Sequence, residues 1–395
     1  MKRTGIIVLL VLLILIGIPL ILLNTSYFQQ RLVDSVTKEL TVKAGAKIYI
    51  EDSNIDLFRG IVFHNIQIND HLNHQILKAD RLDVGLSLLP LLRRRVEIKS
   101  LRIIGGDIRL FRKTPESDLN IQSIINAFKS PKKSVIPWHI DFSTILFRHC
   151  KIRYDVLSKP FKPKGIDVNH LKLSGLSTKI FLKIAPKNHF QFRIYKFQAV
   201  EKCGLKIDNL KLQAKLFEKG FNLSDFELKS ANSIIEIAAL DAKFNGFSSF
   251  STFADSINFD PTNIKLRVVP SDFTCLNASL SNLIRPIDLS IAVQGRLSDL
   301  TCNNLRLNMD NMILLEGRIA LVGLPSIHNL YMKGQIEMLR VLPEGVEYLS
   351  GVLTNKFAKI EALHNLGKID YMGKINTVEH RWIISGDFAT DAGNI

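Results

Sequence analysis

The sequence predicts a mainly β protein: an N-terminal transmembrane helix followed by an elongated, curled antiparallel β-sheet with few short helices. Three observations carry that prediction. Gly5 to Leu23 runs for nineteen residues without a charge, and a helix of that length reaches about 28 Å, close to the hydrocarbon thickness of a bilayer. From Ala46 onward apolar residues recur at every second position, the period of strands with one apolar face. Turn-formers interrupt those runs about every ten residues, which suits antiparallel hairpins.

The first run reads as an uncleaved anchor, residues 1–25. It is longer than the apolar region of a signal peptide, usually about 7–15 residues, and NTSYFQQRL after it offers no small-residue cleavage site. Pro19 is expected to kink the helix without ending it. Lys2 and Arg3 favour a cytoplasmic N-terminus with the rest of the chain outside, a bias that Arg31 and Lys38 weaken. Ser26 to about Leu40 reads as an amphipathic helix leaving the membrane: Ser26 and Gln29 have capping-box spacing, Phe28, Leu32, Val36 and Leu40 share a face, and Gly45 stops it.

Strands follow at Ile48 and Ile50, Ile55 and Leu57, Ile61 and Phe63, and Ile66 and Ile68. Their turns fall at Asp52-Ser53-Asn54, Arg59-Gly60 and Asn69-Asp70. Leu82 to Leu88 is the next pass, stopped by Pro90. Val96 to Ile103 comes after it, Gly105-Gly106 is expected to turn the chain, and Ile108 and Leu110 continue. Asn120 to Phe128 is a short helical interruption. Ser130 to Trp138, mixing Pro, Ser and Lys, marks a boundary between 26–130 and 131–395. The strand rhythm then resumes and ends at Trp382–Ala389 with no strand after it, and Met338 to Leu349 is the later helical stretch. A sheet that long must coil, stack or curl.

Apolar residues make up 46% and charged residues 23%, a globular balance. The 52 Lys and Arg against 37 Asp and Glu give +15, which would attract nucleic acid, anionic lipid head groups or acidic glycolipid. The anchor favours lipid. Nucleic acid would want interleaved aromatic residues and a recognisable module, and neither is present. Cys150, Cys203, Cys275 and Cys302 are far apart, so no zinc ribbon or thioredoxin-type site is expected. Disulfides and buried free thiols both stay open, with free thiols preferred. With almost no helix between strands, βαβ units and their nucleotide sites are not expected.

The order of basic tail, single span and amphipathic helix leads into VKAGAKIYIEDSNIDLFRGIVFHNIQIND, ILKADRLDVGLSLLPLLRRRVEIKSLRIIGGDIRLFRK and SDLNIQSIINAF. That order resembles the N-terminal module of the AsmA-like proteins of Gram-negative bacteria. It is especially similar to the TamB branch of Bacteroidetes, the inner-membrane component of the translocation and assembly module. DLSIAVQGRLSDLTCNNLRLNM and ILLEGRIALVGLPSIHNLYMKGQIEML resemble the repeated β-modules of that branch, so 26–130 would be the AsmA-like module and 131–395 the repeats. The resemblance implies a single-pass inner-membrane protein whose periplasmic part is a taco-like groove. It further implies work for the outer membrane: phospholipid transport between the membranes, and assembly or secretion of outer-membrane proteins with a β-barrel partner. Members of the branch are longer and finish in a C-terminal β-domain, so this chain is expected to stop part-way and to lack the partner site.

Such work needs no cofactor, metal or catalytic residue, only a dry surface for acyl chains beside a polar rim. An apolar trough supplies about 0.8 kcal/mol per buried methylene. Val84, Leu86, Leu88, Val96, Ile98, Ile103, Ile108 and Leu110 are the candidate lipid-contacting residues at the start of the groove. Pattern alone favours an ordinary sandwich core for them, and the resemblance reverses that order. Arg93, Arg94 and Arg95 form either a head-group patch or a solvated loop. Glu51, Asp52 and Asp56 suit turn and cap roles better than paired carboxylates. His64, His71 and His74, like His139, His149 and His170, are not completed into a metal site. No G-x-S-x-G, H-E-x-x-H or P-loop occurs. The alternative to transport is an envelope scaffold that binds protein partners through exposed sheet edges.

Overall fold

The computed structural model describes residues 45–56, 60–86, 96–129, 138–185, 189–246, 253–324, 330–353, 365–378 and 381–394, with Arg31, Asp34, Lys38, Thr41 and Val42. The predicted anchor, Gly5 to Leu23, lies outside them. Those five separate residues are helical, and Gly45 follows at φ +61°, the left-handed conformation that ends helices. Among the described residues no helix is long and apolar enough to cross a membrane. The protein is mainly β and forms two compact units. The first holds the chain to Phe181 with Ala199–Lys202, and the second holds Leu182–Gln198 and everything from Cys203.

In the first unit β1 (Lys47–Tyr49) and β2 (Asp52–Asp56) pair in succession along β3 (Gly60–Asn69), which pairs in turn with β4 (Gln75–Leu86). The β3–β4 turn is held by Asp70, whose Oδ1 accepts from the backbone N–H of Leu72 at 2.9 Å and of His74 at 2.7 Å. In β3 the consecutive residues Ile61, Val62 and Phe63 are 4%, 2% and 5% exposed. Neighbouring side chains on a strand point to opposite faces, so both faces of β3 are covered.

Strands β5 (Val96–Ile104) and β6 (Asp107–Arg112) both run antiparallel to β4 and parallel to β7 (Trp138–Val156). This corrects the wholly antiparallel expectation: the sheet is mixed. The predicted reversal at Gly105-Gly106 is not made. Ile104 lies beside Arg148 and Asp107 beside Lys151, so the two strands are collinear across the glycines. The glycines are needed because neighbours press in. Gly105 has φ +63° and an added Cβ would run into the Asp80 carboxylate, while one on Gly106 would meet Ile103 Cγ2 at 2.7 Å. Without a reversal, the next strand arrives parallel, which requires a crossover. The chain makes it through α1 (Gln122–Lys129), so a βαβ connection is present where none was expected. β8 (His170–Ala185) then pairs antiparallel with β7.

The second unit is a meander. β9 (His189–Glu201) pairs through Phe190–Ile194 with β11 (Asn209–Phe217), past the two-residue β10 (Lys206–Ile207). β12 (Gly220–Ser230), β13 (Ser233–Lys243), β14 (Asn258–Val268), β15 (Ile287–Arg296), β16 (Asp299–Met309), β17 (Ile313–Val322), β18 (Tyr331–Val341), β19 (Ile369–Val378) and β20 (Arg381–Thr390) follow. Each is antiparallel to the one before. Short elements sit in the connections: α2 (Phe253–Ser256), two 3-10 turns at Pro270–Phe273 and Ala278–Leu280, and α3 (Pro343–Leu353). The helix expected from Met338 therefore starts at Pro343, whose fixed φ suits a first helical turn, and Met338 to Val341 belong to β18. A two-residue β21 (Gly393–Asn394) also returns on β20, where no further strand was expected.

Candidate functional site

Register turns the second unit's alternation into two unlike faces. Leu210, Leu228, Ile235, Leu266, Leu289, Leu307, Leu315, Leu339, Tyr371 and Phe388 are successive cross-strand partners from β11 to β20. Every strand in that span thus adds one apolar rung. A second row on the same face holds Phe226, Ile237, Ile264 and Ile291. A third holds Val293, Cys302, Ile319, Gly334, Ile375 and Ile384. In the leucine row only Tyr371 is buried and the other nine are half-buried. A closed sandwich core would bury them all.

The reverse face carries charge. Glu236, Lys265, Ser290, Arg306 and Glu316 are successive partners there. Ion pairs join neighbouring strands: Lys211 to Glu227 at 3.0 Å, Arg267 to Asp288 at 3.2 Å, Arg306 to Glu316 at 3.6 Å and Arg340 to Asp370 at 2.8 Å. The Lys211 ammonium, helped by Lys229, holds the Glu227 carboxyl below its ordinary pKa against the opposing effect of burial. Lys368 and Arg340 do the same for Asp370. A hollow of about 640 Å³ is lined by Arg193, Lys211, Glu227, Glu236 and Lys265 together with Ile194, Leu212 and Phe226, so charges of both signs border apolar side chains there.

The candidates named from sequence lie in the first unit. Leu82 pairs with Ile103, Val84 with Leu101 and Leu86 with Ile98, which puts the positions of Val84, Leu86, Ile98 and Ile103 on one face. Val96 opens β5 two residues before Ile98. Ile108 lies beside Ile152 as Ile103 lies beside Phe147, and the register shift between Phe147 and Cys150 keeps those β7 positions on one face, so Ile108 and Leu110 continue the face of Ile103. Ile98 and Ile103 are buried, while Val84, Ile108 and Leu110 are half-buried. Leu88 and Arg93, Arg94 and Arg95 lie outside the described residues. The opposite face of β4 from Val84 carries a buried charge: Asp83 accepts from Arg81 at 2.6 Å and Arg102 at 3.0 Å.

The remaining candidates have structural partners. Asn65 donates to Glu51 at 2.6 Å, Asp52 lies opposite His64 in the sheet, and His74 Nδ1 sits 3.0 Å from Asp70 Oδ2. Burial pushes the Asp70 carboxyl up, but the hydrogen bonds from His74 and Leu72 outweigh it and leave the pKa lowered. No group of three or more metal-ligating side chains occurs among the described residues. All four cysteines are free; Cys150 and Cys302 are buried, and burial raises both thiols.

What this geometry defines first is a β protein whose meander offers a continuous, half-open apolar face backed by a charged one. The AsmA family model matches residues 1–283, and the chain belongs to the AsmA family. No curated protein and no solved structure matches it. Membership is consistent with a part in envelope and outer-membrane biogenesis and in lipid transport.

Proposed function

We propose that this chain is a TamB-type protein, anchored in the inner membrane and periplasmic for most of its length, that serves the outer membrane. It moves phospholipid between the membranes or assists the assembly and secretion of outer-membrane proteins. The observation that supports this reading is the leucine-rich apolar row across β11 to β20, half-exposed at every rung but Tyr371. An acyl chain laid on that face loses contact with water at about 0.8 kcal/mol per methylene. Because the rungs repeat about every 4.8 Å and are chemically alike, the chain can shift by one rung at little cost. The mechanism uses burial alone, with no bond made or broken.

The test places a photo-crosslinking residue at Leu307 in intact cells, with its neighbour Arg306 on the charged face as control, and identifies adducts by mass spectrometry. Lipid at Leu307 and none at Arg306 is expected. A second reading, a scaffold for protein partners, is favoured by β20. One edge of that strand is paired along its length with β19, the other, among the described residues, only at Ala389 and Thr390, and Trp382, Ile383 and Ile384 are exposed. Such an edge can accept an added strand. Protein adducts at Ile383 together with no lipid at Leu307 would replace the transport reading with the scaffold one.

A further inference from the structure

The loop joining β7 to β8, residues 157–169, has a surface unlike the charged face or the apolar rows. Leu157, Phe161 and Val168 are 60%, 66% and 61% exposed. Exposed apolar residues scattered singly need no explanation, but three within one short loop form a patch. Lysines surround it: Lys159, Lys162 and Lys164 in the loop, Lys202 with its ammonium 5.5 Å from the Phe161 ring, and Lys113, whose carbonyl accepts from the Ser158 N–H at 3.0 Å. All five are exposed. The loop's own acid, Asp167, is buried, and its carboxylate accepts from the backbone N–H groups of Lys162 and Asn169. Glu116 and Asp118, on the turn that follows Lys113, are the nearby exposed acids in sequence.

The patch is also held in place. Phe161 stacks on His170 with ring centroids 3.8 Å apart. His170 is fixed from both nitrogens, Nδ1 to Asp155 Oδ1 at 3.0 Å and Nε2 to the Lys159 carbonyl at 2.9 Å. An exposed aromatic ring presented rigidly among lysines matches a bilayer interface, where the ring enters the head-group layer and the ammonium groups meet lipid phosphates. We infer that the 157–169 loop is a docking surface for an anionic lipid bilayer, seating Phe161, Leu157 and Val168 in the interface under the attraction of Lys159, Lys162 and Lys164. This surface is separate from the leucine rows, and either reading can fail without the other.

The experiment uses the full chain with a photo-crosslinking residue at Val168, which leaves the Phe161–His170 stack intact. The control position is Leu276, an exposed apolar residue in a loop without lysine. The chain is reconstituted in vesicles of phosphatidylglycerol with phosphatidylethanolamine, or of phosphatidylcholine alone. The proposal expects lipid adducts at Val168 well above those at Leu276 in the anionic vesicles. Loss of three ammonium contacts should lower them roughly tenfold or more, whether the lipid is made neutral or Lys159, Lys162 and Lys164 are changed to Glu. Adducts no higher than at Leu276, or equal in both vesicle types, overturn it. The comparison between vesicles uses one unaltered loop, so a folding defect in the triple variant, read by circular dichroism, does not decide the matter.

Discussion

The two units make opposite use of the same alternating pattern. In the first, Ile61, Val62 and Phe63 are all buried in succession, so β3 is covered on both faces. In the second, Leu266, Leu289 and Leu307 are half-buried while their chain neighbours Lys265, Asp288 and Arg306 form the charged reverse. Alternation alone therefore does not say whether a face is core or binding surface. What decides is whether anything covers it, and here the half-open surface belongs to the regular meander.

That contrast can be broken most directly by truncation. Phe63→Ala should cost about 3–5 kcal/mol, the usual range for a buried aromatic, whereas Leu307→Ala should cost about 1 kcal/mol because its side chain is already partly wet. Denaturant unfolding of the two variants checks this, and equal losses would mean that the leucine row is a packed core. Gly105→Ala, which forces a side chain into a left-handed conformation against Asp80, should cost about 1–3 kcal/mol by the same measurement.

A pH titration sharpens the comparison further. Asp155 raises the His170 pKa above the ordinary histidine value, the Lys159 carbonyl and Asp167 add to this, and burial opposes it. Lys202 faces the pair from across the Phe161 ring. A raised folded-state pKa means the contact stabilises fully below the unfolded-state value and is lost as pH rises through the folded one. Protease nicking of residues 157–169 should accordingly increase with pH in that window, and His170→Gln should remove the dependence, while the second unit shows no matching change. The smallest effect belongs to the charged face: Arg267→Met, breaking a solvent-exposed pair, should cost under about 1 kcal/mol in thermal unfolding.

Much of the strand order was legible because period-two runs such as Ile61 to Ile68 or Ile313 to Leu321 mark themselves. Three things were not. Gly105-Gly106 looks like a reversal locally, and only the crowding by Asp80, Ile103 and Cys150 reveals glycines that serve collinear strands. Pro343 was a usable helix-start signal, but the apolar residues from Met338 fit a strand and a helix equally well over so short a span. Likewise Leu210 and Ile264 were readable as strand residues, but their alignment into continuous rows depends on registers and bulges between Lys211 and Gln213 or Ser290 and Ala292. Registers are long-range facts, and no local window contains them.

The meander has one more consequence. From β11 onward each strand rests on the one just before it, so every new pairing joins neighbours in sequence, at the lowest loop-closure cost where the connection is a tight turn. A segment released in order from its N-terminal end could lay down this sheet strand by strand as it emerges, each strand templating the next. By contrast β5 and β6 must wait for β7 to come back through a crossover. The same logic makes the meander extensible, since a hairpin added or removed between turns changes its length by two rungs and leaves the pattern of the remainder intact.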